Sequence, residues 1–179
     1  MGRTKQLATW ATPSGVKPLA AAAYDAIRPI CDEMIVVLGH EADAVADALG
    51  QRPFHRVPGD ADLPMFESVR AGLKRARAID SNATVVLQPG DHPEVSLKTL
   101  EMLAEASVRE PTRAAIPQYG GRGGHPVFIP SNIVELLLEV NCPTGLGDFW
   151  ITHPELCVRM PIDDAGVLRD IDTQNDLPR

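Results

Sequence analysis

Apolar residues are distributed along this chain in two ways, as short unbroken runs and as stripes at helical spacing. Met34–Leu38 (MIVVL) and Thr84–Leu87 (TVVL) are runs that suit strands covered on both faces. Phe54–Val57, Arg113–Ile116, Val127–Ile129, Val158–Ile162 and Leu168–Ile171 are predicted as shorter strands. Helical spacing covers Pro18–Ile30, where Pro18 suits a first turn and Ala20–Ala23 are strong helix formers. It recurs over Glu41–Leu49, whose Ala42, Val45, Ala46 and Leu49 form one stripe ended by Gly50. It recurs again over Met65–Ala78, which turns Val69, Leu73 and Ala76 inward. Ser96 is the predicted N-cap of a helix reaching Val108, and Ser131 of one over Ile133–Val140. The final TQNDL segment is predicted as a last half-turn of helix. Strands alternating with helices imply βαβ units and a mostly parallel sheet, in one α/β domain spanning residues 1–179. Ligands of such sheets gather beyond the carboxyl ends of the strands, here after Leu38, after Leu87 and near the late strands.

Composition narrows this picture. Hydrophobic residues make up 44% and charged residues 23%, which excludes a disordered chain. Lys plus Arg is 17 against 24 Asp plus Glu, a net charge of −7, so the basic footprint that nucleic-acid binding needs is missing. Aromatics are only 4%, so the core has to be built from Val, Ile, Leu and Ala. No apolar run is long enough to span a membrane and no apolar segment follows MGRTKQ, so a cytoplasmic protein without a membrane partner is expected. Cys31, Cys142 and Cys157 form no C-x-x-C pair and are expected to be reduced, buried thiols.

Three segments carry candidate chemistry. Gln88–Val95 (QPGDHPEV) is a sharp loop at a strand's carboxyl end with Asp91 at its tip. A carboxylate there could hold Mg²⁺, which takes one or two carboxylates plus waters and substrate phosphates, or could simply close an Asx turn. In Asp170-Ile171-Asp172 the two acids share one face of a strand, a second candidate metal anchor or else a solvated strand end whose Asp172 or Thr173 caps a helix. Gly120–Pro126 (GGRGGHP) places four glycines around Arg122 before His125-Pro126. Its backbone could approach an anion and Arg122 could clamp a phosphate, or the segment could be a loop between two strands. There is no Walker loop, dinucleotide fingerprint, zinc-type His or Cys pairing, or G-x-S-x-G elbow.

Taken in order, the segments resemble the MobA-like nucleotidyltransferases, which attach CMP or GMP to molybdenum cofactor, with the greatest similarity to the cytidylyltransferase-type branch. The resemblance rests on Met1-Gly2-Arg3-Thr4-Lys5, which matches the end of the family's L-A-A-G-x-S-x-R-M-G-x-x-K loop. It rests further on the Ile35–Gly39 strand, Ser68-Val69-Arg70-Ala71-Gly72-Leu73, Asp91-His92-Pro93-Glu94-Val95, Gly123-Gly124-His125-Pro126-Val127 and the run from Asp170 to Leu177. It implies a three-layer, Rossmann-like nucleotidyltransferase fold and a Mg²⁺ cofactor. Lys5, with Gly2, would contact the triphosphate of CTP or GTP, and Asp91 would hold the metal, joined by Asp170 or Asp172. Ser68 would lie near base or ribose. Gly124, His125 and Pro126 would face a molybdopterin-type acceptor. A phosphate oxygen of that acceptor would attack the α-phosphate and pyrophosphate would leave.

Two departures bear on the expectation. Gly123 stands where the family has Arg, and the first strand with most of its glycine-rich loop is missing, so neighbouring strands should be left with unpaired backbone groups. A longer reading frame, or a strand exchanged within a homodimer, would fill that gap. Weak nucleotide binding is therefore expected of the chain as it stands. The competing readings are a non-catalytic nucleotide- or cofactor-binding module and a sugar-phosphate-type nucleotidyltransferase.

Overall fold

The computed structural model describes residues 4–13, 15–142 and 144–171. A 3₁₀ turn at Lys5–Leu7 leads into an antiparallel hairpin of β1 (Thr9–Thr12) and β2 (Gly15–Pro18), followed by α1 (Leu19–Ile27). Next come β3 (Ile35–Leu38), α2 (Ala42–Leu49), β4 (His55–Pro58) and α3 (Met65–Ile79). β3 and β4 pair in parallel across a helical crossover, as the predicted βαβ units require. The remaining elements are β5 (Val85–Leu87), α4 (Leu97–Arg109), β6 (Ala114–Tyr119), β7 (Arg122–Gly123), β8 (Val127–Ile129), α5 (Ser131–Glu139), α6 (Leu146–Thr152) and β9 (Cys157–Pro161). They build a five-stranded sheet in which β5, β8, β6 and β7 follow one another and β9 pairs with β6.

The α/β class and the layering hold. In β8, Val127 and Ile129 pack against α3, α5 and α6, while Phe128 points the other way, toward Leu103 and Ala106 of α4. β6 alternates in register with it, Ala114 and Ile116 on one face and Ala115 on the other. Period-2 alternation of apolar side chains on both faces is what helices above and below a sheet demand. In the β3–β4 half, Val36 and Leu38 pack with α1 and α2. Val37 faces the opposite way: its methyls lie 3.0 and 3.2 Å from where Cβ atoms on Gly59 and Gly72 would sit. These two glycines let β4's exit and α3 approach β3 closely.

The sheets are mixed rather than mostly parallel. Among the described residues, parallel pairing is confined to β3–β4 and β6–β9; β5–β8, β6–β7 and β6–β8 are antiparallel. The cause is connection length. A parallel return needs a crossover of about a dozen residues or more, usually helical, whereas the link from β6 to β8 contains only a hairpin and β7. Leu168–Ile171 is not a strand either. Ala165–Leu168 is a 3₁₀ turn, because Asp164 caps it by accepting from the Gly166 amide at 2.9 Å. Ser131 is the first helical residue of α5 rather than its cap, since Pro130 O accepts from both Ile133 and Val134. The β1–β2 hairpin and α6 were not foreseen. The expected terminal half-turn lies outside the described residues.

Among the cysteines, Cys142 and Cys157 are buried and Cys31 is half-buried; all three are free thiols. Burial pushes the Cys31 thiol up to about 11, which leaves it un-ionised and unreactive near neutrality. No helix among the described residues is long and apolar enough to cross a membrane.

Candidate functional site

The carboxyl ends of β3 and β5 open on one rim, and the segment Thr4–Lys5 bridges them. The Thr4 hydroxyl hydrogen-bonds Glu41, just beyond β3. Lys5 Nζ lies 2.5 Å from Asp91 Oδ2, just beyond β5. Glu41 reaches this position from a left-handed backbone, φ 49°, at the start of α2. Nothing in the sequence signals that residue. Lys5 and Asp91, expected separately from two distant motifs, are therefore brought together, with Asp91 the more buried of the pair.

The loop carrying Asp91 is held from three sides. Within it, His92 N donates to Pro89 O at 3.3 Å. From the C-terminal segment, Ile171 N donates to Asp91 O at 3.2 Å, which brings the exposed Asp170 to the neighbourhood of the Asp91 loop. From the 164–168 turn, Asp164 accepts from Ser96 N at 3.0 Å and Thr99 Oγ1 at 2.7 Å, tying that turn to the start of α4. Burial raises the Asp164 pKa, but the hydrogen bonds from Thr99, Ser96 and Gly166 outweigh it and hold the carboxyl below its ordinary value. Gly166 is needed where it stands, because a Cβ there would come within 2.4 Å of Glu94 O. Asp164 was missed by sequence reasoning, although Asp-x-Gly is a readable Asx-turn pattern.

The glycine-rich segment has mainly steric duties. Gly120 and Gly121, at φ 55° and 82°, make the two-residue turn between β6 and β7, a backbone that other residues rarely adopt. The hairpin alternative thus accounts for two of the four glycines, and Arg122 is exposed on its short outer strand. Gly124 packs so tightly on the 164–168 turn that a Cβ would lie 2.2 Å from Val167 O. That carbonyl accepts from His125 N at 2.8 Å. The His125–Pro126 bond is cis, and Pro126 is buried. The His125 ring meets that of His92 edge-on, with centroids 5.3 Å apart. Burial, and then the neighbouring His92, push the His125 pKa down to about 4, against a hydrogen bond with the Leu87 backbone. His125 is thus a neutral imidazole at pH 7, and its buried Nδ1 makes no hydrogen bond among the described residues.

Ser68 sits elsewhere on the rim. Its Oγ is 3.4 Å from where a Gly59 Cβ would be, next to the end of β3, so it belongs to the β3–β4 side and not to the Asp91 loop. Gly2 and Asp172 lie outside the described residues. As for a cation, the described residues contain no group of three or more His, Cys, Asp or Glu side chains able to hold one. Asp91 supplies hard carboxylate oxygens at a loop tip, which fits a Mg²⁺-like ion completed by waters and phosphate oxygens rather than a full protein cage.

The MobA-like NTP transferase domain family matches residues 1–156. A molybdenum cofactor guanylyltransferase of Pseudomonas aeruginosa is 31% identical over 139 residues, 75% of this chain and 63% of that protein. The chain therefore spans less than two thirds of the length of that relative. Among solved structures, the Mycobacterium tuberculosis protein Rv0371c superposes with a TM-score of 0.80 at 24% identity, covering 98% of this chain and 87% of that one. A second structure of Rv0371c is a complex with manganese and superposes with a TM-score of 0.76. A nucleotidyl transferase of Methanothermobacter superposes with a TM-score of 0.77 at 21% identity, covering 96% and 81%. At these identities the superpositions establish the fold.

Proposed function

This chain belongs to the MobA-like NTP transferase domain family, and from that premise we propose that it serves as a Mg²⁺-dependent nucleotidyltransferase moving CMP or GMP from CTP or GTP to a molybdopterin-type acceptor. The observation that carries this reading is the Lys5–Asp91 pair, 2.5 Å apart, on the rim where β3 and β5 end. A metal cation and the Lys5 ammonium on adjacent sites would match a triphosphate's clustered negative charge. The guanylyltransferase relative supports GMP, while the motif pattern leans toward the cytidylyl branch, so both nucleotides stay in the proposal.

In this mechanism Asp91 would hold the metal, and Lys5 would turn from Asp91 to the departing phosphates. Bound Mg²⁺ would neutralise phosphate charge and favour in-line displacement. An acceptor phosphate oxygen attacks the α-phosphorus, the bond between α-phosphorus and the bridging oxygen breaks, and pyrophosphate leaves with that electron pair. Gly124, His125 and Pro126 line the acceptor side, with His125 a neutral hydrogen-bonding group. Asp170 and Asp172 are the candidates to complete the metal's oxygen shell, and Ser68 and Gly2 to contact the nucleotide.

The test is pyrophosphate release with CTP and with GTP in the presence of Mg²⁺ and molybdopterin. Activity is expected to fall at least a hundredfold in Asp91→Ala and in Lys5→Ala. Undiminished turnover in Asp91→Ala would overturn the reading. Silence with every nucleoside triphosphate, even after an upstream segment is restored, would favour a binding module instead. Release that responds to a phosphosugar and not to molybdopterin would favour the sugar-phosphate type.

A further inference from the structure

β9 carries a charge for which the described residues provide no counter-ion. Its Cys157 and Arg159 stand in parallel register with Ala114 and Ile116 of β6. Cys157, Ala114 and Ile116 belong to the core that faces α3, α5 and α6, and alternation along the strand puts Arg159 on that same face. Arg159 is half-buried. Its guanidinium, a rigid fork of N–H donors, makes one hydrogen bond among the described residues, from Nη2 to Trp150 O at 3.4 Å. Arg113, at the other end of the same strand pair, is engaged by contrast: it donates to Glu155 O and Cys157 O and pairs with Glu110.

Gly123 sets where the far end of that side chain lies. Arg159 Nη1 is 3.0 Å from where a Gly123 Cβ would be, with Ile116 Cγ2 at 3.5 Å. A side chain at 123 would have to begin where the guanidinium now rests. Gly123 is exposed, so the guanidinium rests over open backbone and not inside the core. β9 runs parallel to β6, and β5 and β6 both run antiparallel to β8, so β9 ends on the rim where β5 ends. Gly123 leads directly into Gly124, His125 and Pro126. A half-buried cation without a counter-ion forfeits hydration and recovers little, so Arg159 is poorly placed as a purely structural element. It is well placed as a phosphate ligand, because the planar fork matches two phosphate oxygens at once.

We propose that Arg159 binds the phosphate of the acceptor and thereby selects acceptors that carry a phosphate monoester. This rests on the acceptor-side reading of Gly124, His125 and Pro126. Gly123 stands where the family pattern has an arginine; here the guanidinium reaches that place from β9 instead, and the glycine leaves it room. Two N–H···O bonds hold two terminal oxygens of the phosphate, offset part of its charge and leave the third oxygen to react. The bond to Trp150 O steadies the guanidinium over Gly123.

The experiment has two arms. In the first, the 179-residue chain is titrated with inorganic phosphate, without nucleotide, while the arginine Nε–Hε signals are followed by NMR. The Arg159 signal is assigned by its loss in Arg159→Gln. It should shift saturably, whereas that of the exposed Arg122 should not, and chloride at equal ionic strength should move neither. Shifts that never saturate, or that all arginines share, would mean an adventitious ion only and overturn the proposal. In the second arm, Arg159→Gln should raise the KM for molybdopterin about tenfold and leave that for the nucleotide unchanged. Arg159→Lys should recover part of the loss. Gly123→Ala, whose Cβ displaces the guanidinium, should raise the acceptor KM by a smaller factor. A merely structural role would disturb both KM values together, and that outcome, or a change in neither, would overturn the proposal. Phosphate binding at Arg159 in a chain that transfers nothing would count against the catalytic reading alone. Transfer that is indifferent to Arg159→Gln would count against this proposal alone.

Discussion

β8 and β5 lie side by side in one sheet, each with three apolar residues, yet they are buried to different degrees. Val127, Phe128 and Ile129 are 3%, 4% and 0% exposed, whereas Val85, Val86 and Leu87 are all half-buried. Both strands have helices on each face, so the difference lies in their edges: among the described residues β8 is flanked by β5 and β6, and β5 by β8 alone. An apolar run therefore reports that a strand has covered faces and says nothing about how many strands adjoin it. The candidate site grows from the less buried strands, since Glu41 follows β3 and Asp91 follows β5. The fully buried strands supply the fixed body against which that rim is braced, through His125 and the 164–168 turn.

Four measurements would sharpen or break this comparison. Ile129→Ala should cost about 3–4 kcal/mol in urea unfolding, because it empties a site with no solvent access and little room to collapse. A cost below about 1 kcal/mol would show that β8 is no firmer than its neighbour. Acid should act next most strongly, through His125. Its pKa is held at about 4 in the folded chain against 6.5 when free, so between those values the unfolded chain takes up a proton that the folded chain refuses. Stability should be complete above about pH 6.5 and decline as pH falls toward 4, by roughly 3 kcal/mol at most. Comparing urea midpoints at pH 7 and 4.5 tests this, and His125→Gln should flatten the difference. The Asp164 carboxyl, held below its ordinary value, stays ionised through that window and so does not imitate the effect.

Asp164→Ala should cost about 1–2 kcal/mol, the loss of its bonds to Ser96, Thr99 and Gly166. Its more telling effect is local. Exchange of the His125 amide, which donates to Val167 O, should quicken while that of Phe128 does not. If Phe128 quickened equally, brace and inner sheet would be one cooperative unit. Val86→Ala should have the smallest effect, about 1 kcal/mol, since a half-exposed side chain forfeits only part of its burial. A cost matching that of Ile129→Ala would end the distinction between the two strands.

The sequence was most legible where one local property decides the outcome. Val127–Ile129 was predicted as a strand with the ends it has, and α2 and α3 emerged from their apolar stripes within a residue or so. Ser96 does cap α4, accepting from Thr99 N at 3.2 Å. Asp91 was placed at its loop tip by two prolines and a glycine. Less legible were features whose cause lies far along the chain. Leu168–Ile171 reads as apolar and extended, but the capped turn at Asp164 and the Val167–His125 bond impose another backbone. The glycines of Gly120–Gly124 suggested an anion cradle. Their reasons are a hairpin turn and contacts with Val167 and Arg159, neither visible without the partner segment.

Sequence alone determined the class of layers and the family to which the chain belongs, and it singled out Lys5 and Asp91 separately as candidates, because periodicity and short motifs are local properties. Tertiary structure decided that these two charges meet, that Ile171 is bonded to the Asp91 loop, and that β3 and β5 each pair along one edge only among the described residues. The reason is that hydrogen-bond partners and strand neighbours are chosen among residues dozens of positions apart. That choice depends on how the whole chain closes and not on any stretch of it.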